Sequence, residues 1–242
     1  MGRALVAQEP TEAARAAFLS VAQELSEKYA DWLDKQRKRS EKRATQPGIL
    51  WDELVKNIIG QGSDAGLKRL NKSLGESVIL GYETLLDIPV DQRPTTIEGT
   101  LRAAGVRWPA KKAPWIAENV AKMERRNGPE NALKRFEEAP GRGGKIAFLR
   151  RFAGVGDKLA RHIPMRLYHT DFRDSIAIDA RIRNISELLG LRLRSFNDAE
   201  RWYVAAAHEI GLDGWTLDRA MYHTYKEFIA RLERAITAKE PA

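Results

Sequence analysis

The stretch GRGGKIAFLRRFAGVGDKLARHI, residues 141–163, sets a turn of Ala153, Gly154, Val155 and Gly156 between two helical patterns, with Asp157 and Lys158 directly behind it. Gly154 and Gly156 permit positive φ and leave the backbone bare. The turn amides and the free N–H groups of the next helix then make a nest for an anion. Backbone alone can hold a phosphate there, and a lysine in the first helical turn adds charge. Taken by itself, Lys158 reads as a phosphate contact beside Gly154, Val155 and Gly156. A second residue of interest is Asp179, which follows the short apolar run SIAI (175–178) where a helical pattern starts. Its plainest role is to cap that helix.

These residues need elements to hold them. Ile146, Leu149 and Phe152 share one face of a helix over 143–152, and Leu159, Ile163 and Leu167 share one face of a helix over 157–169. A four-residue turn makes the two pack as a helical hairpin. Pro164 should kink or shorten the second. Upstream, Phe18, Val21, Leu25, Tyr29 and Trp32 step by three and four along one long helix over 11–38. Further helical patterns cover 49–61, 64–74, 77–86, 95–104, 109–126, 129–138, 179–190, 198–210 and 216–237, with Pro89 and Pro94 bounding a loop. Asn197 to Glu200 reads as a capping box. Only 175–178 reads as extended. The expected fold class is all-α, with about ten helices in two subdomains. Residues 1–46 form an N-terminal helix and basic linker packing on the core, and 47–242 form the main domain.

The bulk numbers set bounds. The chain has 242 residues, 43% of them apolar, with 41 Lys and Arg against 33 Asp and Glu and a net charge of +8. That suits a folded chain with a polyanionic partner, nucleic acid being the commonest. The absence of cysteine excludes disulfides, thiolate zinc sites and cysteine-bound iron–sulfur clusters. The four histidines lack metal-ligand spacing. No apolar run reaches the ~18 residues of a membrane span, and MGRALVAQEP lacks a signal-peptide core. A cytoplasmic, nucleoid-associated monomer with no membrane partner is the expectation. The run KQRKRSEKR (35–43) reads as a solvated helix end or linker, with an electrostatic tether to DNA as the second reading.

FAGVGDKLA (152–160) resembles the helix-hairpin-helix element, whose glycine hairpin grips a DNA phosphate. Together with SIAIDARI (175–182) it is similar to the endonuclease III-like (HhH-GPD) superfamily of DNA glycosylases. IIGQGSDAGLKRL (58–70) and LRAAGVRWPAKKAPWIAENV (101–120) resemble two further segments of that family, so the likeness spans roughly residues 49–190. Ala153 stands where the family usually has proline, and the segment from Lys158 to Asp179 is slightly long. The missing cysteine quartet points to a cluster-free branch. ERWYVAAAHEIGLDGWTLDRAMYHTY (200–225) looks most like the archaeal type of 8-oxoguanine DNA glycosylase.

The resemblance implies roles. Lys158 would be the nucleophile and Asp179 the essential acid, both facing a pocket near the cleft between subdomains. Gln61 would probe the gap left by a flipped nucleotide. Asp218 and Tyr222, one helical turn apart, would line the base pocket. Arg181 reads as a phosphate contact or a solvated helix residue. The tryptophans at 51, 108, 115 and 215 read as packing residues, one of them a candidate to stack on the extruded base. The chemistry fits these types. Positive charge grows on the sugar as the glycosidic bond breaks, and a carboxylate stabilises it. An amine attacking C1′ forms a Schiff base from which the strand can be cut. Burial and a helix N-terminus both lower a lysine pKa.

The implied activity is a glycosylase and lyase on double-stranded DNA, with an oxidised purine such as 8-oxoguanine as the substrate. No organic cofactor is needed, and the hairpin carbonyls can take a potassium or sodium ion. The alternatives are a glycosylase for a hypermodified phage base in antiviral defence, a monofunctional glycosylase, and a non-catalytic helix-hairpin-helix DNA-binding protein.

Overall fold

The computed structural model describes residues 8–74, 80–192 and 194–238. Fourteen α-helices lie among them. In chain order these begin with α1 (Glu12–Lys28), α2 (Ala30–Ala44), α3 (Ile49–Gly60), α4 (Ala65–Leu74), α5 (Tyr82–Leu86), α6 (Arg93–Ala103) and α7 (Pro109–Glu124). They continue with α8 (Pro129–Glu137), α9 (Gly141–Leu149), α10 (Asp157–Arg166), α11 (Ala180–Leu188), α12 (Phe196–Glu209), α13 (Gly214–His223) and α14 (Tyr225–Thr237). The chain divides into two compact units: Met1–Glu41 with Leu167–Ala242, and Lys42–Arg166.

In the first unit, α1 lays Phe18 into a buried cluster with Trp202, Tyr203 and Phe228, at ring-centroid distances of 5.4 to 5.6 Å. The helix expected over 11–38 is instead broken at Tyr29 and resumes as α2 to Ala44. Tertiary contacts account for the break. The Tyr29 hydroxyl donates to Glu227 at 2.9 Å, and Trp32 stacks on His223 at 3.8 Å. The expected 216–237 helix is likewise split at Thr224, whose hydroxyl donates back to the Ala220 carbonyl at 2.8 Å. Such back-bonding bends helices. α12 is capped by Ser195, which accepts from the Asp198 N–H at 3.1 Å, so the helix starts ahead of the expected Asn197 box.

Residues 175–178 lie in no helix and, among the described residues, pair with no strand. Buried backbone groups still need partners. Two buried acids supply them: Glu200 accepts from the Ile176 N–H at 3.2 Å and Asp218 from the Ala177 N–H at 3.0 Å.

In the second unit, α3 is central, packed on α4, α7, α8 and α10. It is buried on nearly every side, which includes Glu53 and Asn57. Glu53 pairs with the guanidinium groups of Arg43 and Arg166, and that double pairing makes a buried carboxylate tolerable. Asn57 donates to the Glu53 carbonyl at 2.7 Å and accepts from His162 Nδ1 at 2.8 Å, so α10 is tied to α3 through polar groups. Pro94 belongs to the first turn of α6 rather than to a loop, a place where its missing N–H costs nothing. Pro164 shortens α10, which ends at Arg166 rather than 169. Of the helix expected over 77–86, α5 is the described part; residues 75–79 lie outside the described residues.

Candidate active site

Residues 150–156 join α9 to α10 and carry the glycine turn. Gly154 has φ +79°, as expected, and a Cβ there would meet the Trp115 ring at 2.7 Å. Gly156 does not use its freedom to adopt positive φ; a Cβ there would meet nothing within 4 Å, so open space lies beside it. The turn is held from below by Gln61 and by two side chains that the sequence did not single out, Asn119 and Lys122. Buried Asn119 donates to the Ala153 carbonyl at 2.9 Å and accepts from the Ala153 N–H at 2.7 Å. Lys122 donates to the Arg151 carbonyl at 2.6 Å, and the Gln61 amide donates to the Gly154 carbonyl at 2.9 Å. The carbonyls of Arg151, Ala153 and Gly154 thus each accept from a protein donor. Val155 is buried and donates to the Phe152 carbonyl at 3.2 Å.

Removing Asn119 should strand two backbone groups. Asn119→Ala is expected to cost about 2–4 kcal/mol, since each orphaned buried group costs ~1–3 kcal/mol. Thermal or denaturant unfolding measures this, and a loss below ~0.5 kcal/mol would show that the hairpin does not depend on it.

α10 makes its first intrahelical bond from the Ala160 N–H to the Gly156 carbonyl. The amides of Asp157, Lys158 and Leu159 therefore have no acceptor in the helix. Lys158 is exposed and makes no hydrogen bond or ion pair among the described residues. Asp157 is occupied by Arg150 at 3.3 Å.

Gln61 closes α3 and is half-buried, with its side chain committed to the hairpin. Lys112 is buried beneath it and donates to the carbonyls of Ile59 and Gln61, both at 2.7 Å. Burial, aided by the nearby Arg107 charge, pushes the Lys112 ammonium down to about 8. Next to this loop stands Trp108, 53% exposed and in the left-handed region at φ 56°. A bulky residue there, followed by Pro109, carries strain of ~1–3 kcal/mol. Its ring lies against Gly62, where a Cβ would approach it to 2.6 Å, and the Arg107 guanidinium sits 5.1 Å from the ring centre. The half of the indole left exposed is flanked by two cations, Arg107 and, 5.7 Å from the ring centre, Lys112.

The first unit holds the other predicted residues. Asp179 caps α11, accepting from the Arg181 and Ile182 N–H groups at 2.9 and 3.1 Å, and its second oxygen lies 3.4 Å from the Arg181 guanidinium. Arg181 also sits over the Tyr222 ring at 4.3 Å, and Tyr222 is exposed. Asp218 is buried; one oxygen holds the Ala177 N–H and the other pairs with Arg219. A cavity of about 390 Å³ in this unit is lined by Leu33, Leu212 and Trp215 among others, and by none of Asp179, Arg181, Asp218 and Tyr222.

No protein-family model and no curated relative matches the chain. Solved structures do. The 8-oxoguanine DNA glycosylase of Thermotoga maritima aligns with a TM-score of 0.66 at 18% identity, over 88% of this chain and 97% of that one. The Methanocaldococcus jannaschii 8-oxoguanine glycosylase/lyase, in complex with a 15-mer DNA containing 8-oxoguanine, aligns at 0.68 and 19% identity, over 86% and 97%. A structure of the M. jannaschii 8-oxoguanine DNA glycosylase aligns at 0.66 and 20%, over 86% and 94%.

The chain has the fold of the 8-oxoguanine DNA glycosylases. On this glycosylase fold the sequence-derived candidates fall into two sets. Gln61, Gly154, Val155, Gly156 and Lys158 belong to the second unit, and Asp179, Arg181, Asp218 and Tyr222 to the first. Trp108 joins the second-unit set. The sequence did offer a signal for it: a tryptophan between arginine and proline, just past a glycine, is an odd choice for a core position.

Proposed function

We propose that the chain is a DNA glycosylase with associated lyase activity, which acts on duplex DNA and excises an oxidised purine, 8-oxoguanine first among them. The observation that supports this most is Lys158: an exposed amine, bound to nothing among the described residues, in the first turn of the helix behind a braced glycine hairpin. The fold likeness supplies the setting. A phosphate gripped at the Gly156 end of the turn fixes the strand. The Lys158 amine attacks C1′ of the extruded nucleoside, and the bonding pair of the glycosidic bond leaves with the base. The carboxylate of Asp179 offsets the positive charge that grows on the sugar. The nitrogen gives up a proton to the departing base, the C1′–O4′ bond opens with its electron pair taken by O4′, and the iminium so formed loses a C2′ proton as the 3′ phosphate leaves, which cuts the strand on the 3′ side.

Extruding the base costs a few kcal/mol. Trp108 offsets part of that cost by stacking on what remains. Trp108→Ala should weaken binding to a duplex with an abasic-site analogue by ~1–3 kcal/mol, or roughly 5- to 150-fold, while Trp108→Phe keeps most of the affinity. Fluorescence anisotropy measures it, and equal affinities would remove Trp108 from the DNA interface.

The test of the activity itself is a panel of duplexes, each with one modified base, scored for base release and strand cutting. Release and cutting at 8-oxoguanine are expected. Release from another base only would replace the substrate, release without cutting would replace the lyase step, and no release from any member would overturn the reading.

A further inference from the structure

α2 is a 15-residue helix with Leu33 as its buried residue. One buried side chain does not account for four turns of helix in water. The helix is nevertheless held: Trp32 stacks on His223, Arg37 pairs with Asp34 at 2.9 Å, and Arg43 pairs with Glu53. At about 100° per residue, Leu33, Arg37, Ser40 and Ala44 fall on one side. Lys35, Lys38, Arg39 and Lys42 fall on the opposite side, and all four are exposed. Lys38 reaches Asp34 at 2.8 Å, whereas Lys35, Arg39 and Lys42 form no ion pair among the described residues. From Lys35 to Lys42 the row rises about 10.5 Å along the axis, the span of roughly three phosphates on one strand of a duplex.

We propose that this face of α2 is a second DNA-binding surface, a rigid row of cations that holds the duplex backbone without touching the reacting nucleotide. It rests on the reading that the chain works on DNA. Because the backbone that carries the cations is already helical, only their side chains have to be placed on binding, whereas a flexible basic linker would have to order its backbone as well. Duplex DNA is the partner, since the row sets several cations along one helix face and, among the described residues of α2, no exposed aromatic group of the kind that single strands stack on.

The test replaces Lys35, Lys38, Arg39 and Lys42 together with glutamine, which has similar helix propensity. Affinity for an undamaged duplex is measured against salt concentration, using the full chain. The slope of log K against log salt should become shallower by about 2 to 4, at ~0.9 for each phosphate that is no longer neutralised. Thermal unfolding should stay unchanged, and so should single-turnover base release at saturating enzyme. An unchanged slope overturns the proposal. An equal change of slope on a single-stranded RNA of the same length also overturns it, because the surface would then serve polyanions at large. The slope is read on undamaged DNA, so a chain that releases no base from any duplex would still pass or fail this test on its own.

Discussion

Borohydride trapping on a duplex bearing the substrate base will give a covalent protein–DNA adduct with the native chain and none with Lys158→Gln. The reduced imine needs a primary amine on C1′, which glutamine cannot supply. Glutamine keeps nearly the same length, a similar helix propensity and N–H donors that still reach a phosphate. Lys158 is exposed and has no partner among the described residues, so its loss should leave stability within ~0.5 kcal/mol. Duplex binding should lose at most about one unit of salt slope. Disappearance of the adduct against unchanged folding and nearly unchanged binding would assign the covalent step to this one amine. Survival of the adduct would pass the role to another lysine. Lys112 is the obvious rival, because its pKa is pushed down to about 8. It is buried, however, and its ammonium already donates to the Ile59 and Gln61 carbonyls. If base release outlasts the adduct in Lys158→Gln, water is the nucleophile, and the amine serves strand cutting alone.

The hairpin was legible because its physics is local. A glycine at 154 in the left-handed region and a lysine in the first turn of the next helix depend on a few consecutive residues. The supports of that hairpin were not legible. Nothing in the sequence couples Asn119 to the Ala153 backbone, Trp115 to the space over Gly154, or Lys112 to the end of α3. Each is a long-range partner for a backbone group, chosen by packing. The helix breaks at Tyr29 and Thr224 have the same origin: periodicity continues through both, and contacts with Glu227, His223 and Ala220 decide where the axis bends. Asp218 shows the limit of reading spacing alone. Its one-turn offset from Tyr222 is real, yet its carboxylate is spent on the Ala177 N–H and Arg219. A buried segment that pairs with no strand among the described residues needs such an acid, and a sequence cannot show which acid that will be.

Asp179 presents the sharper problem, since one carboxylate caps α11 and is assigned the charge-stabilising role. Substitutions separate the two. Asparagine and serine both accept at an N-cap about as well as aspartate, whereas alanine loses ~1 kcal/mol there. Asp179→Asn and Asp179→Ser should therefore melt within a few degrees of the native chain, and Asp179→Ala should melt lower. If the negative charge carries the chemistry, all three should lose base release alike, by about 10²–10³-fold, the usual scale for removing one electrostatic stabiliser of a transition state. If capping were its only work, release would follow stability: asparagine and serine would keep it and alanine alone would lose part. Single-turnover release at saturating enzyme distinguishes these patterns, because it excludes binding from the rate. Arg181 gives an internal check. It lies 3.4 Å from the carboxylate and over the Tyr222 ring, so, under the proposed role of Asp179, neutralising it leaves an unopposed cation where positive charge grows on the sugar. Arg181→Gln combined with Asp179→Asn should then recover part of the lost rate. No recovery is expected if the carboxylate serves the helix alone.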